Sequence, residues 1–235
     1  SYPISYSGFV NNETTTSSSF TTGLTAPTCS AAAYTTATSV SASPLSITCS
    51  GGSSSNYSFT YVSTANLTIA KAVPSLSISL SASTPTYGTV DTITAIAGTR
   101  GVIDFKVAGT SIPGCESIST EATSPFTGQC PWIPSAASTS FALTASFTPT
   151  NLVDYSTVTS STTTTIASNR AAITVTPTAG QSKVYGANDP TLSYTITSGS
   201  LIGSDALSGA LTYSGSNVGS YTISIGTLAN TKYII

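Results

Sequence analysis

Hydrophobic and polar residues alternate along several segments of this chain. The pattern is clearest in 75–83 (SLSISLSAS), 139–147 (TSFALTASF) and 221–226 (YTISIG). The apolar positions are Leu76, Ile78 and Leu80 in the first segment, Phe141, Leu143, Ala145 and Phe147 in the second, and Tyr221, Ile223 and Ile225 in the third. Successive side chains of a β-strand point to opposite faces, so this alternation predicts antiparallel strands with one buried and one solvated face. No segment shows a convincing helical period, and the predicted fold class is all-β.

The composition favours the same class and changes the picture of the surface. Ser and Thr account for 44 residues each, 88 of the 235, while charged residues make up only 6%. Ordinary soluble proteins carry about 25% charged residues. Hydrophobic residues reach 39%, enough to build cores, so the composition is not that of a disordered chain. The solvated faces of the predicted strands are therefore covered by hydroxyl groups where most proteins place charges.

Charge and hydropathy argue against nucleic acid as a partner, and they show neither a membrane span nor a signal peptide in this stretch. The net charge is −2 with only six Lys and Arg residues, which leaves no basic patch to neutralise nucleic-acid phosphates. No apolar run reaches the roughly 18 residues of a membrane span. The N-terminus lacks the basic and apolar regions of a signal peptide, so we expect that an export signal is removed or lies outside this stretch.

The four cysteines form two local pairs, Cys29 with Cys49 and Cys115 with Cys130. Four cysteines allow three pairings, and nearest-neighbour pairing keeps each bridge inside one module. The spacing does not suit zinc, and the chain has no His to complete such a site. Disulfides are favoured over free thiols, and each would contribute about 3 kcal/mol. Disulfides imply an oxidising compartment and therefore secretion.

Short polar breaks near 70–74 (AKAVP) and 167–172 (ASNRAA) divide the chain. Each follows a Thr-rich strand, and each carries one of the few basic residues. The breaks predict three tandem modules, 1–72, 73–168 and 169–235, joined by short linkers.

The first and third predicted modules share an internal repeat. Both contain a strand ending near Ser-Gly, an acidic turn, and a later Gly turn followed by Asn, Tyr and a strand, so that Tyr57 and Tyr233 are equivalent. By this scheme the first module lacks its first strand and the third lacks its last. Two explanations fit. The chain is a window of a longer tandem array, the favoured explanation, or a neighbouring subunit supplies a strand.

These residues resemble known families. The segment 184–228, with its Tyr-Gly-x-x-Asp-Pro start, Gly-Ser-Asp-Ala-Leu-Ser-Gly centre and Asn-Val-Gly-x-Tyr turn, resembles the MBG ("mostly β-grasp") repeat of bacterial surface proteins. The first module resembles a cysteine-containing variant through YSGFVNNET, APTCS and ITCSGGSSSNYSFTYV. The middle module resembles a bacterial Ig-like β-sandwich repeat, in which a cysteine pair such as Cys115 and Cys130 also occurs. The resemblance implies large secreted or wall-associated adhesins, stalks or filaments, and no catalytic residues.

Catalytic and metal sites are not predicted. The eight carboxylates are scattered over three modules, the chain has no His to act as the base of a serine-type triad, and no calcium loop occurs. Asp189 and Asp205 are interpreted as turn formers. A Lys–Asn isopeptide cross-link would need a buried Lys beside a buried carboxylate, so lysines at solvated strand ends are the preferred interpretation. We expect no enzyme activity, cofactor or metal.

Trp132, the only Trp, lies beside Cys130 in CPWIP, with Pro131 between them. Packing on a disulfide in a β-sandwich is the preferred interpretation, and stacking on a glycan is the alternative. Asn-x-Ser/Thr sequons at Asn12, Asn56 and Asn66 are candidate glycosylation sites, although such matches are frequent in a Ser/Thr-rich chain.

The predicted function is structural, at an extracellular or cell-surface location. A segment of a tandem-repeat adhesin, stalk or filament is the first hypothesis. A self-assembling filament subunit joined by strand complementation is the second, and a carbohydrate-binding module using Trp132 or exposed tyrosines is the third. The expected partners are neighbouring modules or copies of the same protein, and host or cell-surface glycans.

Overall fold

The computed structural model describes residues 2–62, 65–159 and 164–235. Strands hold 35% of the residues and helices 3%, which confirms the all-β prediction. The chain forms two compact units, Ser1–Val73 with Asn151–Ser156, and Pro74–Thr150 with Thr157–Ile235. The boundary at Val73 falls within the predicted first break at 70–74, whereas the sequence on both sides of the second break belongs to one unit. The division into three modules stays a prediction.

The first unit contains short elements. They are strand β1 (Thr28–Ser30), β2 (Leu45–Ser46), β3 (Thr48–Ser50) and β4 (Asn66–Leu67), helix α1 (Ser18–Thr21) and one 3₁₀ turn (Val40–Ala42). Strand β1 pairs with β3 and β2 with β4, both antiparallel. Because strands of two or three residues bury little apolar surface, most of this unit depends on side-chain packing rather than on extended sheet.

A group of aromatic rings forms the core of the first unit. Phe20 of α1 is only 2% exposed. Its ring centroid lies 5.1 Å from those of Tyr6 and Phe9, 5.8 Å from that of Tyr57 and 6.3 Å from that of Phe59, all in edge-to-face arrangements. Aromatic rings combine a large apolar area with a preferred edge-to-face geometry, so this group can stabilise a unit that has little sheet.

The segment Asn151–Ser156 is tied into the first unit through Asp154. Its Oδ1 accepts hydrogen bonds from Ser39 Oγ at 2.6 Å and from the backbone N–H of Val40 at 2.7 Å. Its Oδ2 accepts from Asn151 Nδ2 at 2.8 Å. These bonds, the one from Ser39 first, lower the pKa of Asp154. The carboxylate therefore caps the 3₁₀ turn and fixes the segment in place.

The second unit begins with two sheets, here called the sandwich. Its strands are β5 (Leu76–Leu80), β6 (Asp91–Ala97), β7 (Gly101–Val107), β8 (Thr110–Ser111), β9 (Ile118–Ser119), β10 (Phe126–Trp132), β11 (Ser140–Pro149), β12 (Val158–Thr159) and β13 (Thr164–Ala167). One sheet has the order β10-β6-β5, and the other has the order β12-β11-β7-β8, with β13 also pairing with β11 and β9 with β7. Buried residues from both sheets form one shared core.

Burial along the sandwich strands follows the alternation of the sequence. In β11, Leu143 is 1% exposed and Ala145 and Phe147 are fully buried, while the residues between them are half-buried. In β5 the three apolar residues are half-buried and the serines are exposed. The segment 221–226 differs, because only Ile223–Ser224 forms a strand and both Tyr221 and Ile225 are exposed, at 39% and 42%. Pairing of two residues leaves the flanking side chains outside any buried face.

The rest of the second unit, segment 169–235, contains three two-stranded ladders. Its strands are β14 (Ala171–Ala172), β15 (Thr174–Pro177), β16 (Tyr194–Ser198), β17 (Thr212–Tyr213), β18 (Ile223–Ser224) and β19 (Tyr233–Ile234). Strand β14 pairs with β19 in parallel, whereas β15–β16 and β17–β18 are antiparallel. The Tyr194 end of β16 lies beside Pro177, and its Ser198 end lies beside Thr174. Loops that leave the two ends of β16 therefore lie at opposite ends of this ladder.

Candidate functional site

Four polar side chains from distant parts of the second unit meet at one point, here called the Asp205 joint. Tyr87 comes from the loop between β5 and β6 of the sandwich. Asp205 comes from the loop between β16 and β17, Tyr233 is the first residue of β19, and Lys232 directly precedes it. The joint therefore connects the sandwich with segment 169–235.

The Asp205 carboxylate is the centre of this cluster. Its Oδ2 accepts hydrogen bonds from the hydroxyls of Tyr87 at 2.7 Å and Tyr233 at 2.8 Å. Its Oδ1 accepts from Lys232 Nζ at 2.7 Å. Lys232 Nζ also donates to the Tyr87 hydroxyl at 3.1 Å, and the Tyr233 hydroxyl accepts from the backbone N–H of Ile202 at 2.7 Å. Three donors of two kinds thus converge on one carboxylate.

Apolar packing surrounds the polar cluster. Tyr87, Tyr233 and Ile173 are 6%, 2% and 5% exposed and form one buried group. The rings of Tyr87 and Tyr233 meet edge to face, with centroids 5.8 Å apart. The ammonium of Lys232 lies 5.0 Å from the centroid of the Tyr87 ring, within the range of a cation–π contact. The side chain of Asp205 is 13% exposed, so the hydrogen bonds on its carboxylate are partly shielded from water.

Backbone contacts hold the two sides of the joint in register. The N–H of Tyr87 donates to the carbonyl of Asn169 at 3.0 Å, and the N–H of Asn169 donates to the carbonyl of Pro85 at 2.8 Å. Gly88 has a φ of +70°, and a Cβ there would lie 2.0 Å from Cδ1 of Ile202. Glycine is therefore required at this position, both for its conformation and for the close approach of Ile202.

The hydrogen bonds determine the charge of the cluster. The pKa of Asp205 falls from 3.8 to about 2, first through the bond from Lys232 and then through those from Tyr87 and Tyr233. The pKa of Lys232 rises above 10.5, mainly through its bond to Asp205. Burial raises the pKa of the Tyr233 hydroxyl. At neutral pH the cluster is thus an ion pair beside the neutral phenol of Tyr233.

The ion pair does not prepare Lys232 for a covalent cross-link. A protonated Lys232 has no free electron pair to attack a carboxyl group, so the ion pair does not favour an amide cross-link with Asp205. Both oxygens of the carboxylate are already occupied by donors of the same chain. The Asp205 joint therefore acts as a non-covalent tie.

The four cysteines form two disulfides, Cys29–Cys49 and Cys115–Cys130. Cys29 and Cys49 face each other across β1 and β3 and are half-buried. Cys115 and Cys130 are 1% and 0% exposed within the core of the sandwich. The second disulfide therefore belongs to the hydrophobic core, and the first joins two short strands.

The glycan-stacking hypothesis for Trp132 is wrong. Its side chain is only 6% exposed and belongs to the same core cluster as Cys115 and Cys130. Its ring meets that of Phe141 edge to face at a centroid distance of 5.1 Å. Trp132 sits on a strand whose alternate residues point into the core, and a sugar cannot reach an indole that is enclosed there.

The three sequon asparagines, Asn12, Asn56 and Asn66, are exposed in the first unit. Asn12 lies in a turn with a φ of +61°. Asn56 Nδ2 donates to the carbonyl of Ser19 at 2.9 Å, so a glycan on this nitrogen would compete with that bond. Asn66 lies in β4 opposite Ser46. Their glycosylation stays a prediction.

The interpretation of Asp205 as a turn former missed its main contacts, because its carboxylate binds Lys232 and two tyrosines. Asp189 likewise accepts from Lys183 and from the Tyr213 hydroxyl. The sequence connects neither Tyr87 nor Lys232 with Asp205, and Lys232 is one of the four lysines, with Lys71, Lys106 and Lys183, for which a solvated strand end is the preferred interpretation over an isopeptide cross-link. The sequence does contain one signal. Only 6% of the residues are charged, and one of them, Lys232, directly precedes Tyr233, the equivalent of Tyr57 in the repeat. A rare charge at such a position indicates a charged partner elsewhere in the fold.

In the described part of the chain, no three His, Cys, Asp or Glu side chains lie close enough to hold a metal ion together. Among the same residues, no helix has the length and apolar character needed to cross a bilayer.

Comparisons with known proteins identify one domain. Searches of curated proteins and of solved structures give no significant match. The family model of the MBG domain (YGX type) matches residues 173–235, about a quarter of the chain. The matched region includes Asp205, Lys232 and Tyr233 of the joint. Residues 173–235 are thus similar to the MBG domain of the YGX type, which is typical of bacterial surface repeat proteins.

Proposed function

We propose that this chain is an extracellular structural protein, a segment of a tandem-repeat adhesin or stalk on a bacterial cell surface. Its work is to transmit load and to hold other modules at a distance from the cell. The Asp205 joint makes the sandwich and the MBG-like segment one mechanical body.

The Asp205 joint is the observation that carries this proposal. Its hydrogen bonds from Tyr87 connect a loop of the sandwich to Asp205 and Lys232 of segment 169–235. Hydrogen bonds to charged groups are stronger than those between neutral groups, and shielding by the surrounding tyrosines strengthens them further. A flexible linker would need none of these contacts.

The surface and the disulfides support the location. Disulfides persist in oxidising compartments, which favours an extracellular protein. A surface of Ser and Thr hydroxyls has little to titrate or to screen with salt, which suits a protein exposed to changing media. It also offers little charge repulsion between copies, so neighbouring modules or copies of the same chain are the proposed partners. We propose no enzymatic activity, cofactor or metal.

Single-molecule force spectroscopy of the whole chain between inert handles tests the mechanical role. The second unit is expected to unfold in one event in the wild type. In Tyr87→Phe, which removes the hydroxyl from the sandwich side only, it is expected to unfold in two smaller events. Tyr34→Phe, at a tyrosine that is 48% exposed in the first unit, is the matched control. A wild type that already unfolds the second unit in two events would refute the proposal.

The location and the assembly state need separate measurements. Alkylation of intact cells that produce the protein is expected to modify the cysteines only after reduction, and labelling without reductant would count against an extracellular location. Electron microscopy of the purified chain addresses the alternative of a self-assembling filament subunit joined by strand complementation. Isolated particles support the stalk, and regular filaments would replace it with the alternative.

A further inference from the structure

A cavity of about 460 Å³ lies on segment 169–235, away from the Asp205 joint. It is bordered by the loop between β15 and β16 and by the loop between β17 and β18. The first of these loops meets the Pro177–Tyr194 end of the β15–β16 ladder, whereas the chain reaches Asp205 from the Ser198 end. The cavity, here called the tyrosine cavity, therefore lies at the far end of the ladder from the joint.

Three tyrosine rings line this cavity, those of Tyr185, Tyr213 and Tyr221. Tyr185 is 72% exposed and Tyr221 is 39% exposed. The rings of Tyr213 and Tyr221 are tilted by 37° with centroids 6.1 Å apart. Large exposed aromatic rings around a concave surface are unusual, since proteins normally bury most of this area.

Local contacts hold two of the three rings, those of Tyr213 and Tyr221, in place before any ligand binds. The Tyr221 hydroxyl donates to the carbonyl of Asn217 at 2.8 Å. Gly215, with a φ of +139°, packs against the Tyr221 ring, and a Cβ there would lie 2.0 Å from its Cε1. The Tyr213 hydroxyl donates to Asp189 Oδ1 at 2.5 Å. Rings fixed in this way lose little freedom on binding, which favours affinity.

The charges near the cavity neutralise each other. Lys183 forms an ion pair with Asp189, and its ammonium lies 6.0 Å from the centroid of the Tyr213 ring. The remaining polar lining consists of amide and hydroxyl side chains, including Ser216, Asn217 and Ser220. A neutral ligand with many hydroxyl groups complements this lining better than an anion or a cation does.

We propose that the tyrosine cavity binds the end of a neutral glycan. A pyranose ring has an apolar C–H face that can stack on Tyr185 and Tyr221, and hydroxyls that can bond to the Ser and Asn side chains of the rim. The volume lies in the range of sites for small ligands, roughly 300–1,000 Å³. Exposed Val184 and Val218, at 77% and 87%, flank the site and extend its apolar border. This binding is independent of the structural role, and either can fail without the other.

A glycan array probed with the labelled full-length chain, followed by calorimetry with the glycan that binds, tests the proposal. Neutral glycans are expected to bind, and Tyr185→Ala is expected to weaken binding at least tenfold, a loss on the order of that of an interface hot spot. Tyr185 is mostly exposed, so its replacement should leave thermal unfolding unchanged. Tyr34→Ala, in the first unit, is the matched control and should bind as the wild type does.

Several results would overturn the glycan site. They are an array without binding, binding restricted to acidic glycans, and binding that Tyr185→Ala leaves intact. Sedimentation of the wild type and of Tyr185→Ala tests whether a second copy of the chain occupies the cavity instead of a glycan. Self-association that disappears in Tyr185→Ala, together with a blank array, would assign the cavity to contacts between copies and refute the glycan proposal.

Discussion

Each of the two units contains a tyrosine that donates its hydroxyl to a carboxylate in a turn. In the first unit Tyr57 donates to Glu13, and in the second Tyr233 donates to Asp205. The residue before the tyrosine differs, since it is Asn56 in one unit and Lys232 in the other. Asn56 bonds to a neighbouring backbone carbonyl, whereas Lys232 forms an ion pair with the carboxylate.

The comparison shows how a local tie becomes a connection between distant segments. Tyr57 packs with Phe9 and Phe20, and its bond to Glu13 fixes a turn inside one aromatic core. In the second unit the Asp205 carboxylate also takes a bond from Tyr87, which belongs to the sandwich. The Asp205 joint thus contains the same tyrosine–carboxylate pair as the first unit, together with two further groups, the ammonium of Lys232 and the phenol of Tyr87.

Replacing Asp205 is expected to have the largest effect. Asp205→Ala leaves Lys232 without its counter-ion and removes the acceptor of two tyrosine hydroxyls. The free energy of unfolding of the second unit should fall by more than in any other variant discussed here, since the change removes the ion pair and leaves the hydroxyls of buried Tyr87 and Tyr233 without their shared acceptor. Urea unfolding followed by the fluorescence of buried Trp132 measures this. Glu13→Ala is the control and should change the Trp132 transition little. If both variants lower the free energy of unfolding equally, the Glu13–Tyr57 and Asp205–Lys232 pairs do not differ in the way described here.

Gly88→Ala should weaken the joint without touching a charge. The added Cβ would clash with Ile202, and the backbone would remain at a positive φ. The expected loss is about 2–4 kcal/mol from strain and overpacking. The same urea titration measures it, with Gly109→Ala as a control of matched φ (+81°) in open space. If Gly109→Ala costs as much, conformation alone explains the loss and the close packing against Ile202 contributes nothing.

Tyr87→Phe tests the contribution of a single hydroxyl group to the Asp205 joint. It removes the bonds from Tyr87 to Asp205 and to Lys232 while keeping the edge-to-face contact with Tyr233. We expect a loss of about 1–3 kcal/mol, as for hydrogen bonds to charged groups. Tyr57→Phe in the first unit should leave the Trp132 transition unchanged. A Tyr87→Phe variant as stable as the wild type would show that packing alone holds the joint.

Acid should weaken the two pairs at different pH, and this is the smallest effect. Both carboxyl groups have a lowered pKa in the folded state, so each contributes stability above its unfolded pKa and loses it as the pH falls through its folded pKa. For Asp205 this window extends from 3.8 down to about 2. For Glu13 the loss begins below 4.5, and the bond from Tyr57 is the main cause of its lowered pKa. Hydrogen exchange of the Phe20 amide reports on the first unit, and the fluorescence of Trp132 reports on the second. During acidification the first unit should lose stability at a higher pH than the second. The reverse order would contradict the stronger tie at Asp205.

The strands of the sandwich could be predicted because their pattern is strong. The apolar residues from Phe141 to Phe147 alternate with small residues (Ala142, Thr144 and Ser146), and a buried face on a strand of ten residues leaves little choice of register. The segment 221–226 shows the same alternation but forms only two paired residues. Alternation indicates which side of a strand can be buried, and it does not indicate whether a partner strand is long enough to bury it.

The functional residues were harder to predict. Asp205 and Tyr233 were noted separately, as a turn former and as the equivalent of Tyr57. Tyr87 lies 118 residues before Asp205, and no local pattern connects residues at that separation. The structure places Trp132 in the core, as the preferred interpretation expects, because a Trp two residues after a core cysteine on an alternating strand points to the same face as that cysteine.

The sequence by itself determined the all-β class, the hydroxyl-covered surface and the similarity of segment 184–228 to the MBG repeat. These properties depend on composition and on spacing along the chain, which folding does not alter. Only the tertiary structure decided that Asp205 ties the sandwich to segment 169–235 and that Tyr185 and Tyr221 border a cavity. Those properties depend on distances between residues far apart in the chain, and such distances exist only once both parts have packed.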